Sequence, residues 1–172
     1  MSVELEKYVQ EEFRNVPEWG EASELADRLH EHLNTESIQS RLEEANQPGQ
    51  SSVKVQTVFL DFALSLGFES EKKGLFLDAA LRPDYYRPLG TTGILLEVER
   101  GKTTINNMDL FDFWKCHLCP QADYLFLLVP SALRQNSRMS PRNEFATVNR
   151  RLAQFFEPNN YTNVRGLCLF GY

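Results

Sequence analysis

Three acidic residues are spaced so that two neighbouring strands could gather them around one divalent cation. Asp84 follows a proline, and Glu97 and Glu99 end an apolar run at residues 94–96. Because side chains alternate between the two faces of a strand, Glu97 and Glu99 project to the same side. Carboxylate oxygens suit Mg²⁺ or Mn²⁺. The pattern predicts a metal site made of Asp84, Glu97 and the backbone carbonyl of Val98, which lies between the two glutamates.

Hydrolysis of a phosphodiester bond is the chemistry that such a site can support. The reaction needs a nucleophilic water and stabilisation of negative charge on the phosphorus and the leaving oxygen, and a cation held by carboxylates supplies both. Glu99 would then bind a second ion or position the water as a general base. The alternative is an exposed strand end whose acids pair with nearby arginines (Arg82, Arg87 and Arg100), which contributes little to stability.

Helices and strands alternate along the chain in an order that can position these residues. Apolar periodicity predicts helices at residues 3–13, 21–33, 35–45, 53–66, 107–118 and 142–156. It predicts strands at residues 68–72, 82–87, 93–100, 123–129 and 164–170. The fold class is therefore α/β, with a central mixed sheet flanked by helices.

Composition limits the class of protein to which the chain can belong. Its 172 residues, 42% of them apolar, are enough for one compact domain with a core. The longest apolar run, at residues 124–129, is far shorter than the roughly 20 residues that span a bilayer. The first ten residues lack the basic start of a targeting segment. With three cysteines, an odd number that fits a reducing compartment, we expect a soluble, cytoplasmic protein with no membrane partner.

The formal net charge of −6 is distributed unevenly along the chain. Residues 1–50 contain twelve acidic and four basic residues, a net charge of −8, whereas residues 51–172 carry a net charge of +2. A turn-forming stretch at residues 46–52 separates the two parts. We expect residues 1–50 to form an acidic helical extension packed on an α/β core at residues 51–172, within a single compact domain.

The order of elements and the acids on them resemble the PD-(D/E)XK nuclease superfamily, which has the restriction-endonuclease-like fold. The resemblance covers residues 53–129. In that family a helix precedes three antiparallel strands, of which the second carries an aspartate and the third an acid-x-lysine motif. Asp84 matches the aspartate and Glu97 the second acid, while Glu99 stands where the lysine is usual. Some restriction enzymes of the superfamily are similar in having Glu-x-Glu.

This departure leaves the lysine of the family to be supplied from elsewhere in the chain. Lys102 follows Gly101, which can bend the chain, although strict alternation places Lys102 on the opposite face from Glu97. Lys115, on the following helix, is the other candidate. The catalytic set that the resemblance implies is Asp84, Glu97, Glu99 and Lys102.

The resemblance implies a metal-dependent nuclease that hydrolyses phosphodiester bonds in DNA, with Mg²⁺ or Mn²⁺ as the cofactor. Many members of the family have a further acid ahead of the motif. Glu69 or Glu71 could fill that position, and a surface ion pair is the alternative for each.

A non-catalytic module with the same fold, binding a protein or nucleic-acid partner, is the alternative function. The missing lysine and the acidic first fifty residues favour it, since the acidic helices could dock on a protein partner or form a homodimer. DNA would instead be contacted by arginines between residues 131 and 152, unless that segment is simply a solvated surface. These arginines are Arg134, Arg138, Arg142, Arg150 and Arg151.

Two smaller groups of residues on the helix at 107–118 have alternative interpretations. Cys116, His117 and Cys119 have the spacing of half a zinc site. Few other ligands are available (Cys168, His30 and His32), so packing at the end of the helix is the preferred interpretation. Trp114 lies at helical spacing from Phe111 and Leu118, which favours a core position for Trp114 over a base-stacking surface.

Overall fold

The computed structural model describes residues 2–101, 103–133 and 140–172, and its centre is a six-stranded mixed sheet. The strand order is β1-β8-β5-β4-β3-β2, in which β4, β5 and β8 are parallel and the outer pairings are antiparallel. A separate hairpin pairs β6 with β7. The strands are β1 (Glu4–Val9), β2 (Glu69–Ser70), β3 (Tyr85–Leu89), β4 (Thr92–Val98), β5 (Tyr124–Val129), β6 (Ala132–Leu133), β7 (Arg142–Asn143) and β8 (Gly166–Gly171).

Helices cover both faces of the sheet, as the sequence predicts. They are α1 (Pro17–Leu33), α2 (Glu36–Ala45), α3 (Ser52–Ser65), α4 (Met108–Leu118) and α5 (Glu144–Leu152), with 3₁₀ turns at Glu11–Phe13 and Ala153–Phe156. Leu96 and Phe126 pack with α1, α2 and α3, whereas their strand neighbours Leu95 and Leu125 pack with α4 and α5. In the described part of the chain, no helix has the length and apolarity needed to cross a membrane.

The prediction of a helix at residues 3–13 is wrong, because residues 4–9 form strand β1. Glu4 and Glu6 are exposed while Leu5 between them is partly buried, which is the period-two alternation of a strand. Six residues of β1 pair with β8, whose own side chains are fully buried. Pairing with a buried strand satisfies the backbone of β1 and outweighs the helix propensity of this acidic segment.

The two strands that carry the candidate site are shorter than predicted, and this decides where the acids lie. Strand β3 begins immediately after Asp84, and β4 ends immediately before Glu99. Tyr85 pairs with Leu96, so Asp84 and Glu97 are the next pair along, just beyond the last paired residues of the hairpin. Helix α4 then connects β4 to the parallel strand β5, which places α4 over the same end of the sheet.

Candidate functional site

The carboxyl groups of Asp84 and Glu97 each accept a backbone hydrogen bond at the end of the β3–β4 hairpin. The backbone N–H of Asp84 donates to Glu97 Oε2 at 3.2 Å, and the N–H of Val98 donates to Asp84 Oδ2 at 2.8 Å. The side chain of Glu97, near the end of β4, is buried, and that of Asp84 is partly buried. The two acids and the Val98 peptide that the sequence singled out therefore lie side by side.

Glu99 is fixed through its backbone and directs its side chain towards α4. Its N–H donates to the carbonyl of Leu128 at 2.8 Å, and its own carbonyl accepts a hydrogen bond from the Tyr172 hydroxyl at 2.8 Å. The Glu99 carboxyl group interacts with that of Asp112, which is buried on α4. Glu99 therefore belongs to the same acidic cluster as Asp84 and Glu97.

Lys115 brings a positive charge into this cluster from α4. Its Nζ lies 2.8 Å from Glu97 Oε1 and 3.2 Å from Asp112 Oδ1, and the side chain is buried. The Phe111 ring covers the ammonium group, with its centroid 5.5 Å from Nζ. Lys115, one of the two lysines considered from the sequence, therefore lies beside Glu97. The other candidate, Lys102, lies outside the described residues.

Sequence reasoning missed Asp112. Asp112 stands three residues before Lys115 on a helix, a spacing that places both side chains on one face. This signal was present in the sequence, but it becomes informative only when α4 is known to turn that face towards β4.

Burial and mutual repulsion make the acids of the cluster unusually hard to ionise. Burial, followed by the negative charge of Asp112, raises the pKa of Glu97 well above its usual range, and the same two causes raise the pKa of Glu99 to about 9. Burial also raises the pKa values of Asp84 and Asp112. Burial disfavours the Lys115 ammonium, but the charges of Glu97 and Asp112 outweigh that effect and raise its pKa.

The donor set of the cluster fits an added divalent cation in its chemistry. Within the described ranges, no three His, Cys, Asp or Glu residues are arranged as a ready metal cage. Four carboxyl groups nevertheless face one lysine, and Asp112 Oδ2 is buried without a hydrogen-bond partner. Mg²⁺ and Mn²⁺ prefer hard oxygen ligands, and a cation bound among these acids would favour their ionised form.

Glu69 and Glu71, the two candidates for a further acid ahead of the motif, differ in how they contact the site. Glu69 is exposed and forms an ion pair with Lys72, at 2.6 Å. The backbone N–H of Glu71 donates to the carbonyl of Asp84 at 2.9 Å, and the Glu71 charge is one of the smaller causes that raise the pKa of Asp84. Glu71 is therefore the one of these two acids that lies beside the site.

Two of the three arginines that the alternative interpretation pairs with the acids, Arg87 and Arg100, have other partners. Arg87 pairs with Glu21 on α1 at 3.0 Å. Arg100 donates to the carbonyls of Gln50 at 2.7 Å and Asn46 at 3.1 Å, and also to that of Gln47. The Arg100 contacts join the loop between α2 and α3 to the end of β4, and among the described residues Lys115 is the cation paired with the acidic cluster.

The arginine-rich segment is divided between internal contacts and exposed surface. Arg151 pairs with the buried Asp109 at 3.2 Å, while Arg142 lies 3.6 Å from Glu144 and is exposed, as is Arg150. Arg134 and Arg138 lie outside the described residues.

The cysteines and the aromatic residues of α4 differ in their environments. Cys116 and Cys119 are buried, with Sγ atoms 4.0 Å from the Ala122 carbonyl and 3.7 Å from the Leu75 carbonyl. Trp114 is half exposed, as are the two residues grouped with it, Phe111 and Leu118. The core position predicted for Trp114 is therefore wrong, because α4 turns Asp112, Phe113 and Lys115 inward instead.

Comparison with known proteins supports the fold. No family model matches the chain, and no curated protein matches it. The chain is similar to the restriction endonuclease BglII in its crystal structure with a DNA 16-mer, with a TM-score of 0.50 and 10% sequence identity. The alignment covers 99% of this chain and 78% of that chain. At this identity the likeness shows the fold alone, and it confirms that this α/β sheet is restriction-endonuclease-like.

Proposed function

We propose that the protein is a metal-dependent nuclease that hydrolyses phosphodiester bonds in DNA. The observation that supports this function best is the buried Glu97–Lys115 pair beside Asp84. A buried ion pair seldom improves stability over apolar packing, so a cluster with more acids than bases indicates a functional site.

The residues of the cluster have distinct roles in this proposal. Asp84, Glu97 and the Val98 carbonyl would hold Mg²⁺ or Mn²⁺, and the bound ion would supply an activated water and stabilise the charge that develops on the phosphate. The Lys115 ammonium orients the attacking water or a phosphate oxygen by donating hydrogen bonds. Glu99 can accept a proton only after it has lost its own, and its raised pKa keeps it protonated near neutral pH. Lys102 stays a candidate from the sequence.

DNA is proposed as the substrate on two grounds. The structural neighbour BglII was crystallised with a DNA 16-mer. In addition, Arg142 and Arg150 are exposed, and exposed arginines can contact a phosphate backbone. The acid-rich helices α1 and α2 pack on the opposite face of the sheet from α4 and α5, so their negative charge lies away from these arginines.

Cleavage of labelled duplex and single-stranded DNA with Mg²⁺ or Mn²⁺ tests the proposal. We expect cleavage by the wild type and at least a roughly 100-fold loss in Asp84→Asn, Glu97→Gln and Lys115→Met. Asp61→Asn, on the exposed face of α3, is the matched control and should cleave like the wild type. Equal cleavage by Asp84→Asn and the wild type would contradict the assigned site.

Calorimetry with Mn²⁺ separates an enzyme from a non-catalytic module of the same fold. The proposal expects binding in the micromolar range that Glu97→Gln abolishes. If the wild type neither binds Mn²⁺ nor cuts DNA, the protein is the binding module instead.

A further inference from the structure

Helix α4 differs from an ordinary surface helix in what it buries and what it exposes. All its charged residues are buried: Asp109, Asp112 and Lys115. In contrast, Phe111 is 47% exposed, Trp114 53% and Leu118 60%. A surface helix normally buries its apolar stripe and exposes its charges. Here the contacts with Glu97 and Arg151 hold the charged residues inward beside the buried Phe113 and Cys116, and a second group of apolar residues is left outside.

The exposed apolar residues form one continuous surface. Phe111, Trp114 and Leu118 are three and four residues apart, so they lie on the same side of α4. Tyr161, which is 93% exposed, lines a narrow crevice with Trp114 and His117. We call these five residues the α4 outer face. Single exposed apolar residues are common, but a contiguous aromatic group marks an interaction surface.

We propose that the α4 outer face binds the same face of a second copy of this chain. Its five residues include no Asp, Glu, Lys or Arg, so two copies of the surface can meet without burying an unpaired or repelled charge. The same lack of charged residues disfavours a nucleic-acid partner at the α4 outer face, because binding of phosphates requires cations.

The charge distribution of the whole chain also favours contact between two copies at this face. The segment with a net charge of −8, residues 1–50, contributes α1 and α2, which pack on the other face of the sheet. A dimer through α4 therefore keeps the two acidic segments far apart. Contact through α1 and α2 would instead bring them together. This places the dimer surface on α4, and not on the acidic helices.

Sedimentation equilibrium of the full chain, in EDTA and without DNA, tests this proposal independently of any nuclease activity. We expect a dimer at about 10 µM protein. Trp114→Ala should raise the dimer dissociation constant at least about 30-fold, because buried tryptophans at the centre of an interface carry much of the binding energy. Leu64→Ala, on α3, is the matched control: its side chain is 47% exposed, and the variant should dimerise like the wild type.

Two further measurements distinguish a lost dimer contact from unfolding and from binding of nucleic acid. Circular dichroism and urea unfolding should show that Trp114→Ala is folded; if it is not, Leu118→Lys replaces it and should be monomeric. In a Trp19→Phe background, Trp114 is the remaining tryptophan, and its emission should shift to longer wavelength on dilution. A wild type that is monomeric at about 100 µM overturns the proposal, as does a monomer whose Trp114 emission is quenched by oligonucleotides.

Discussion

Glu97 has a carboxyl group that is buried between β4 and α4, where a charge is costly unless it is paired. Its two oxygens are satisfied by different parts of the chain: the Asp84 N–H and the Lys115 ammonium. Replacing such a buried pair with apolar residues is often neutral or stabilising, whereas removing one partner is costly. Stability alone therefore does not explain the Glu97–Lys115 pair, and the site that it forms with Asp84 offers a functional reason.

Glu99→Gln should make the protein more stable at pH 8 and less sensitive to pH. The pKa of Glu99 is raised from 4.5 to about 9, so between these values the folded protein binds a proton that the unfolded chain has lost. The free energy of unfolding of the wild type therefore falls as the pH rises through this window, by up to about 1.4 kcal/mol per pH unit. Glutamine removes this contribution, and we expect a gain of about 1–2 kcal/mol at pH 8.

Urea unfolding at pH 5, 7 and 9, without divalent cations, measures this effect. Glu24→Gln, at an exposed position on α1, is the control and should show the pH dependence of the wild type. The assignment of the pH dependence to Glu99 fails if Glu99→Gln loses stability with rising pH as steeply as the wild type does.

At the scale of elements, the sequence predicted the helices and strands whose structure depends mainly on their own residues. Strand β5 is apolar throughout and buried on both faces, so its sequence indicates its structure directly. Helix α3 ends one residue before Leu66, and Gly67 follows with a φ of 89°, a conformation that favours glycine. Strand β1 could not be recognised in this way, because its structure depends on pairing with β8, which lies more than 150 residues along the chain.

The candidate site was only partly predictable for a related reason. Asp84 and Glu97 could be identified because a short hairpin connects their strands. Asp112 and Lys115 depend on which face α4 turns towards the sheet, and apolar periodicity does not decide this because the helix has apolar residues on both sides, with Phe113 and Cys116 buried and Phe111 and Trp114 exposed. Sequence spacing therefore identified the residues that the hairpin brings together, and tertiary packing selected those on the helix.

The β3–β4 hairpin that positions Asp84 and Glu97 depends on a close approach at Gly93. A methyl group there would lie 2.5 Å from Tyr86 Cε2 and 2.6 Å from the Gln121 carbonyl oxygen. Because the carbonyl belongs to the backbone, the clash cannot be relieved by a rotamer change alone. Gly93→Ala should therefore reduce the free energy of unfolding by about 2–3 kcal/mol.

Gly20 provides the matched control for this substitution. It lies inside α1, and no atom is within 4 Å of the added methyl group, so Gly20→Ala should stabilise the protein by about 0.5–1 kcal/mol. Urea unfolding measures both variants. If Gly93→Ala is as stable as the wild type, the close packing of Tyr86 over the hairpin does not constrain it.

At the scale of the whole molecule, the sheet connects the two ends of the chain and separates two chemical surfaces. β1 lies at one edge beside β8, and the candidate site lies near the other edge, at β3 and β4. Helices α1, α2 and α3 cover one face, while α4 and α5 cover the face that carries the site's lysine and the exposed arginines. The first fifty residues thus contribute core and sheet, even though they contain most of the net negative charge.

Residues 51–172 expressed alone should fail to fold cooperatively. Removing residues 1–50 takes away the strand that pairs with β8 and the buried α1 residues Leu25 and Leu29, which lie in the same apolar cluster as Phe126. The fragment would expose this apolar surface and an unpaired strand edge, which favours aggregation. The full chain should unfold in one transition, with equal calorimetric and van't Hoff enthalpies. Adding a separate 1–50 peptide should restore the fold, whereas cooperative unfolding of the fragment by itself would show that the first fifty residues are a dispensable extension.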